Sequence, residues 1–512
     1  MLLGTLSFPR LCYSVAVYLT ILYLFILCPA FPATPSSLVV SYGYGVVAPF
    51  RTASGIPDPM IKQQAGTARR ELEETIEPVE FFNLPDLAER MKAFIKLATA
   101  TQIEPLLDAG PLENLLRWQF PWLDATKLKY TPWTRRHPAQ QAEGTDAETT
   151  GIVISVGDNN VLVAGHLIRT LRHVLKSTLP IELAFYGDKD LSQEGQESLM
   201  ALTENITPLD VSKVFPDPDL RLDKGCALKP FSLLASRFQR VILVDADVIF
   251  MRNPDEVFET QPGLVETGTL FWHDRAIDFL TDSIRDWLQP VMGDRKPSAM
   301  LQQSLMWKEN ARMEMESGVV CMDKGRPGIF LSAVLAAWMN SGDIRPDPYD
   351  QVWGTSSSFP ASCTPSLHTN IATGDKETYW IATELTSTPY HFQSEYAGTI
   401  GTPSSARSIC GAQAAHTDST GALFWLSNSL RRDQYISREL GVFTHWQHGM
   451  VSFPGNGSWT RHDEPRWCLD GAAPVPLSES GMDSVMEALL REARRVDHAF
   501  DVAGWKEDFQ PR

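Results

Sequence analysis

The chain has 512 residues, enough for one large domain or two ordinary ones. Its 45 lysines and arginines against 62 aspartates and glutamates leave a net charge of −17, which argues against a nucleic-acid binder, because such a protein needs a basic face. A hydrophobic fraction of 43% is ordinary for a globular protein with a sizeable core.

The first feature in chain order is residues 11–29, "LCYSVAVYLTILYLFILCP", which carry no charge. The run is close to the roughly 20 apolar residues of a membrane span. Two readings stand: an uncleaved signal anchor, or a cleaved signal peptide with "CPAFPA" as the cleavage region. A signal h-region is usually about 7–15 residues, so the length favours the anchor. Arg10 would keep residues 1–10 in the cytosol and send the rest into the lumen. Sequons at Asn205 and Asn456 suit that route. Of seven cysteines, Cys12 and Cys28 lie in the apolar run. The other five are Cys226, Cys321, Cys363, Cys410 and Cys468, an odd number that leaves at least one unpaired within the chain. There is no CxxC pair and hence no zinc signature. Disulfides suit a secretory compartment, but the spacing does not say which cysteines pair.

Residues 30–149 read as a stem. Up to "ARRELEETIEP" it is a spacer rich in Pro, Ser, Gly and Ala. Residues 85–122 have helical spacing, with Leu87, Met91, Phe94, Ile95 and Ala98 on one face, and are predicted to pack on the main domain. The polar stretch 134–149 is the expected boundary. The main domain is placed at 150–470 and a C-terminal helical tail at 471–512.

The main domain opens with "GIVISVG", an apolar strand ending at Gly157 and Asp158, candidate substrate contacts. A helical pattern with Leu162, His166, Leu167, Ile168, Leu171 and Val174 follows, then a strand, "IELAFYGDKD", another helix, a weak strand, "ITPLDVS", and a helix leading to residue 241. Strands alternating with helices predict an α/β fold with a mostly parallel sheet covered on both faces. Ligands in such sheets bind beyond the carboxyl ends of the strands.

"VILVDADVIF", residues 241–250, places Asp245 and Asp247 at that end. The chain has two other Asp-x-Asp triplets, 188–190 and 217–219, but these fall in turn and loop sequence. Two carboxylates closing a buried strand are costly without compensation. A divalent cation removes that cost, and hard oxygen ligands suit Mg²⁺ or Mn²⁺. Phosphoryl transfer and sugar transfer from a nucleotide sugar both use such a site. The phosphatase pattern wants Thr two residues after the second Asp, where this chain has Ile249. Just upstream, "DKGCALKPFSLLASRF" places Phe231, Leu234, Ala235 and Phe238 on one helical face, with Pro230 in the first turn and Lys229 at the helix mouth. An ammonium beside free backbone N–H groups suits a phosphate.

Four ordered motifs carry a family resemblance: "KPFSLLASRFQRVILVDADVIFMRNPDEVFE", "TGTLFWHDR", "ESGVVCMDK" and "GDKETYW". Over about residues 150–450 the chain resembles the fungal MNN-type α-mannosyltransferases. The resemblance implies a GT-A fold, a retaining reaction, a Mn²⁺-dependent Asp-x-Asp site, a GDP-mannose donor, a mannose-containing glycan acceptor and a Golgi type II membrane protein. It further implies Asp375 in "GDKETYW", with Glu377 as the alternate, near the donor sugar. Glu316, Ser317 and Gly318 correspond to a sugar-contacting strand whose first residue is usually Asn; Gly318 would let a ligand approach the backbone. His273, Asp274 and Arg275 are candidates for the sugar pocket. "HTDSTGALFW" resembles, in loosened form, an element that supplies a third metal ligand, here His416, with His273 and His445 as competitors. Lys229 would add fixed positive charge at the leaving group. Trp380, Tyr379 and Trp272 are aromatic candidates for sugar stacking, or ordinary core residues.

A mannosyltransferase, α-1,3 or α-1,2, is therefore the leading expectation. The alternatives are another nucleotide-sugar transferase of the same fold and a non-catalytic luminal glycan-binding protein.

Overall fold

The computed structural model describes residues 58–74, 84–104, 107–133, 149–222, 227–276, 284–311, 313–342, 375–432, 438–449, 459–461, 467–471, 473–502 and 505. The proposed anchor, most of the spacer, Asn456, Cys12, Cys28, Cys226 and Cys363 lie outside these residues. Among the described residues no helix is long and apolar enough to cross a membrane.

The strands are, in chain order, β1 (Thr150–Ser155), β2 (Ile181–Phe185), β3 (Ile206–Asp210), β4 (Arg240–Asp245), β5 (Ile249–Phe250), β6 (Thr269–His273), β7 (Met315–Asp323), β8 (Phe392–Tyr396), β9 (Gly398–Ser405), β10 (Ser408–Thr417), β11 (Leu423–Leu426), β12 (His445–Gln447), β13 (Trp459–Arg461), β14 (Trp467–Asp470) and β15 (Val475–Pro476). The central sheet runs β3-β2-β1-β4-β7-β6-β8. The pairs β3/β2, β2/β1, β1/β4 and β6/β8 are parallel. β7 is antiparallel to both neighbours. The sheet is thus mostly parallel with one reversed strand. The reversal brings the start of β7 to the edge where β1, β4 and β6 end.

Strand β4 shows why the sheet is covered on both sides. Val241 and Leu243 pack with Phe231, Leu234, Phe238 and the Pro327–Met339 helix. Ile242 and Val244 face the opposite cluster, with Leu162, Leu167, Trp272 and Trp425. Adjacent residues of a strand point to opposite faces, so a continuous apolar run marks burial on both.

The apolar run does not continue as one strand through the aspartates. Val248 N donates to Asp245 O at 3.1 Å, which closes a turn over Asp245–Val248. β5 then leaves the central sheet and pairs antiparallel with β11. This begins a second, antiparallel sheet, β13-β14-β10-β9-β12-β15, with β11 and β5 attached to β10, which the expectation of one parallel domain does not contain. Its strands approach closely at glycines: a Cβ at Gly398 would lie 1.9 Å from Gln447 O.

The stem is also more structured than a spacer. Asp58 caps a Pro59–Glu73 helix, accepting from Met60 N at 2.8 Å, with Pro59 in the first turn. The next helix, Leu84–Ile103, buries Leu87, Met91, Phe94 and Ala98, and Ile95 is partly buried beside them. Gln102 Nε2 donates to Gly325 O at 2.6 Å, tying this helix to the turn after β7. At the other end, the Met482–Val502 helix lies on the Val161–His173 helix, where a Cβ at Gly165 would meet Val496 at 2.9 Å. His166 Nε2 and Asp497 Oδ1 are 2.8 Å apart across that contact.

Lys324 ends the "ESGVVCMDK" segment fully buried. Its ammonium donates to Leu233 O and Ser236 O, both at 2.8 Å. These are carbonyls at the end of the Leu228–Ala235 helix, so a cation caps the negative end of the helix that carries Lys229 near its start. Burial pushes the Lys324 ammonium down to about 7, against the opposing pull of Glu182. The folded chain therefore binds this proton more weakly than the unfolded chain, whose lysines titrate near 10.4. Between about pH 7 and 10 unfolding takes up a proton, so stability from this group rises with pH there, by at most about 1.4 kcal/mol per pH unit. Below about pH 7 both states are charged and the slope ends. Urea unfolding at pH 7, 8 and 9 should show a shallower rise for Lys324→Met than for the parent; equal slopes would remove Lys324 as the cause.

Candidate functional site

Three distant segments converge where β1, β4 and β6 end and β7 begins. The centre is Lys229, which is 4% exposed. Its Nζ lies 2.8 Å from Asp245 Oδ1 and 3.3 Å from Asp375 Oδ2. It also donates to the backbone O and the Oγ of Ser317, each at 2.9 Å. Ser317 Oγ donates to Asp375 Oδ1 at 3.3 Å, and Tyr379 OH donates to Asp375 Oδ2 at 2.8 Å. Burial works against the ammonium, but Asp245 and Asp375 outweigh it and hold Lys229 above the usual lysine range. Lys229 is in the first turn of its helix, so its position is set by backbone as well as by its partners.

Asp245 stands at an enclosed strand end, although a third of its side chain (33%) reaches solvent. Burial pushes its carboxyl up to about 7; Lys229 pulls it down, and Asp247 and Asp375 push it up again. The site thus holds more negative charge than one lysine neutralises, which fits a divalent cation at the aspartate pair. Such ions often take one or two carboxylates and complete their shell with water and substrate phosphate. His416 is 2% exposed, stacks on Trp425 at 3.8 Å between ring centres, and among the described residues has no hydrogen-bond partner on either ring nitrogen. Burial pushes it down to about 3, and the charges acting on it include Asp274, Arg275 and Lys376. A neutral imidazole with free nitrogens suits a ligand role. Among the described residues, however, no three carboxylate, imidazole or thiolate groups are gathered closely enough to hold a metal, so Asp245, Asp247 and His416 do not form a ligand set in this structure. His445 sits in β12 with its Nδ1 on Thr444 Oγ1 at 2.9 Å.

A second charged cluster adjoins the first. Lys376 Nζ lies 2.9 Å from both Asp274 Oδ2 and Glu316 Oε2. Asp274 and Glu316 together hold Lys376 above its usual range despite burial. Burial opposes the charge on Glu316, but Lys376 outweighs it and holds the carboxyl below its usual range. Arg275 N donates to Asp274 Oδ1 at 2.6 Å. Glu316 also accepts from Gly318 N at 3.1 Å, within its own strand.

Several expected contacts have other partners. A Cβ at Gly318 would meet Trp425 at 2.9 Å and Val248 at 3.3 Å, so this glycine admits core side chains where a ligand was expected. Glu377 is buried behind the cluster. It accepts from Glu314 N at 3.0 Å, Met315 N at 3.1 Å and the Trp380 indole; burial pushes its carboxyl up to about 8 against these donors. It therefore anchors the start of β7. Asp158 accepts from Ser192 N and Oγ at 3.0 and 2.9 Å, joining two loops, and a Cβ at Gly157 would collide with Asp190 Oδ1 at 2.7 Å. His273 stacks between Phe392 and Tyr396, with Nδ1 2.8 Å from the buried Glu314. Trp272, Trp380 and Tyr379 are all 1% exposed or less, and so are core residues. The sequence does not single out Lys376, nor Trp459 and Trp467, whose ring centres lie 5.8 and 5.5 Å from the Arg275 guanidinium carbon. Lys376 at least stands between two named candidates, whereas nothing in the sequence marks the two tryptophans.

The segment that builds these clusters, residues 149–418, matches the family model described as "Mannosyltransferase putative", over more than half of the chain. The chain belongs to this mannosyltransferase family. It is similar to "Putative alpha-1,3-mannosyltransferase MNN14" of Candida albicans (25% identity, covering 49% of this chain and 36% of the relative). It is also similar to "Putative alpha-1,3-mannosyltransferase MNN13" of the same organism (25% identity, covering 55% and 40%). "Alpha-1,2-mannosyltransferase MNN2" of Saccharomyces cerevisiae is 30% identical over 24% of this chain and 21% of the relative. The chain thus spans less than half the length of each of these relatives. Among solved structures, core-mannan synthase A from Aspergillus fumigatus in its Mn/GDP form matches 51% of this chain and 74% of that one at 10% identity and a TM-score of 0.30. The galactosyltransferase LgtC matches 47% and 72% at 11% identity and a TM-score of 0.28.

Lys229→Met should leave Asp245 and Asp375 facing each other without their cation. Breaking a buried pair costs about 3–5 kcal/mol. A double-mutant cycle by urea unfolding should recover part of that loss in Lys229→Met/Asp375→Asn; simple additivity would mean the two side chains are not coupled.

Proposed function

We propose that this family member is a retaining α-mannosyltransferase of the GT-A type, moving mannose from GDP-mannose to a mannose-terminated glycan. The observation that carries the reading is the Lys229 hub, which gathers Asp245, Ser317 and Asp375 at the ligand end of the sheet, inside the family segment. Fixed charge in a water-poor site stabilises charge that develops during reaction. Lys229 supplies that positive charge beside the aspartate pair. Asp375, locked by Lys229, Ser317 and Tyr379, fixes the lysine beside Asp245. Lys376 fixes Asp274 and Glu316 as two acceptors at the same mouth. A Mn²⁺ ion held by Asp245 and Asp247 would supply Lewis acidity to the diphosphate leaving group.

The relatives named as α-1,3 enzymes favour that linkage. A Golgi type II placement, with the anchor at 11–29, agrees with two features. Cys410 and Cys468 are joined in a disulfide, which suits an oxidising compartment. Asn205 of the first sequon is exposed, with φ of 61°, a conformation asparagine tolerates.

Transfer assays with GDP-mannose, UDP-glucose and UDP-galactose, with linkage analysis of the product, test the reading. Turnover of GDP-mannose with retention and loss of rate on chelation are expected. Turnover of a UDP-sugar instead would overturn the donor assignment. Asp247→Ala should lower the rate at least about 100-fold, while the backbone bond from Ser429 N to Asp247 O survives the substitution; a rate that stays near the parent's would remove Asp247 from the metal site.

A further inference from the structure

The hairpin of β13 and β14 lies outside the family segment, yet it reaches the charged cluster at the ligand end of the sheet. Antiparallel pairing sets Trp459 opposite Leu469 and Arg461 opposite Trp467, so the two tryptophans share one face of the hairpin. That face meets Arg275. The guanidinium carbon is 5.8 Å from the Trp459 ring centre and 5.5 Å from that of Trp467. Among the described residues, Arg275 Nε and Nη1 are buried without a hydrogen-bond partner, and so is the Trp459 indole N–H. Buried donors are rarely left unmade. Three of them around one guanidinium call for a ligand rich in acceptor oxygens.

The local charge says which kind of ligand. Arg275 and Lys376 balance Asp274 and Glu316, all within one cluster. The cluster carries no net charge, so a neutral molecule is not repelled there, whereas an anion would meet two carboxylates. The partly exposed Trp467 indole can stack on the apolar face of a sugar ring, and the unpartnered N–H groups of Arg275 and the more deeply buried Trp459 can donate to hydroxyl oxygens. The hairpin is held in place by the Cys410–Cys468 disulfide, which joins β14 directly to β10, the strand of His416.

We propose that Trp459, Trp467 and Arg275 form the subsite that receives the acceptor, a neutral oligosaccharide, beside the donor-side cluster of Asp274, Glu316 and Lys376. This rests on the transferase reading above. The full chain is assayed with GDP-mannose and neutral mannose oligomers, and KM is measured for each substrate. Trp467→Ala should raise the acceptor KM about tenfold and move the donor KM less than about twofold. Trp467→Phe, which keeps a ring, should stay within about threefold of the parent. Trp459→Phe, which removes only the N–H, should also raise the acceptor KM and decides the matter if Trp467→Ala does not fold. Unchanged acceptor KM in both, or donor and acceptor KM rising together, overturns the proposal. Tryptophan fluorescence titrated with the same oligomers, without donor, separates the two readings. A response that is lost in Trp467→Ala supports the subsite even if GDP-mannose is not turned over. Absence of a response in the parent chain, or tighter binding of a phosphorylated oligomer than of the neutral one, overturns it.

Discussion

The ligand end of the sheet depends on one buried ammonium. Lys229 neutralises Asp245 and Asp375 and holds Ser317, so it joins the end of β4, the start of β7 and the entry to the Thr378–Leu385 helix. Without a cation these carboxylates would repel one another in a poorly solvated space. Lys229 is itself placed by a short helix whose far end is capped by another buried lysine, Lys324. Two lysines from segments that are remote in sequence thus set the position of one helix, one at each end.

The reversed strand β7 is the second constraint. If it ran with its neighbours, Glu316 and Ser317 would lie at the opposite edge of the sheet. Antiparallel pairing with β4 and β6 puts them at the ligand end. Glu377 then anchors the first residues of the strand through two backbone N–H groups. Lys376, the residue before it, reaches the other way to bridge Asp274 and Glu316. Adjacent residues therefore divide the work: one supports the strand from behind and the other arranges polar groups in front.

The turn at Asp245–Val248 connects the two sheets as well as ending β4. Because β5 pairs with β11, and β11 with His416 on β10, the second sheet is registered against the aspartate turn by hydrogen bonds. The disulfide at the other part of β10 carries that order on to the Trp459 and Trp467 hairpin.

The sequence by itself determined what is local and periodic. Alternating strand and helix patterns specified the α/β core; the apolar run before Asp245 marked a strand buried on both faces; and Leu87, Met91, Phe94 and Ala98 marked a buried helical face. The motif at Asp245 was legible as a strand end, and the family resemblance pointed to Asp375; the structure brings both side chains onto Lys229. Only the tertiary structure decided partnerships. Glu377 and Asp375 look alike in "GDKETYW", yet one is held by backbone N–H groups and the other by Lys229, and nothing within seven residues distinguishes them. Trp380 and Trp467 likewise look interchangeable, although one is core and the other borders a buried guanidinium. Side-chain roles of this kind are set by contacts between residues tens to hundreds of positions apart, and such contacts leave no periodic trace in the chain.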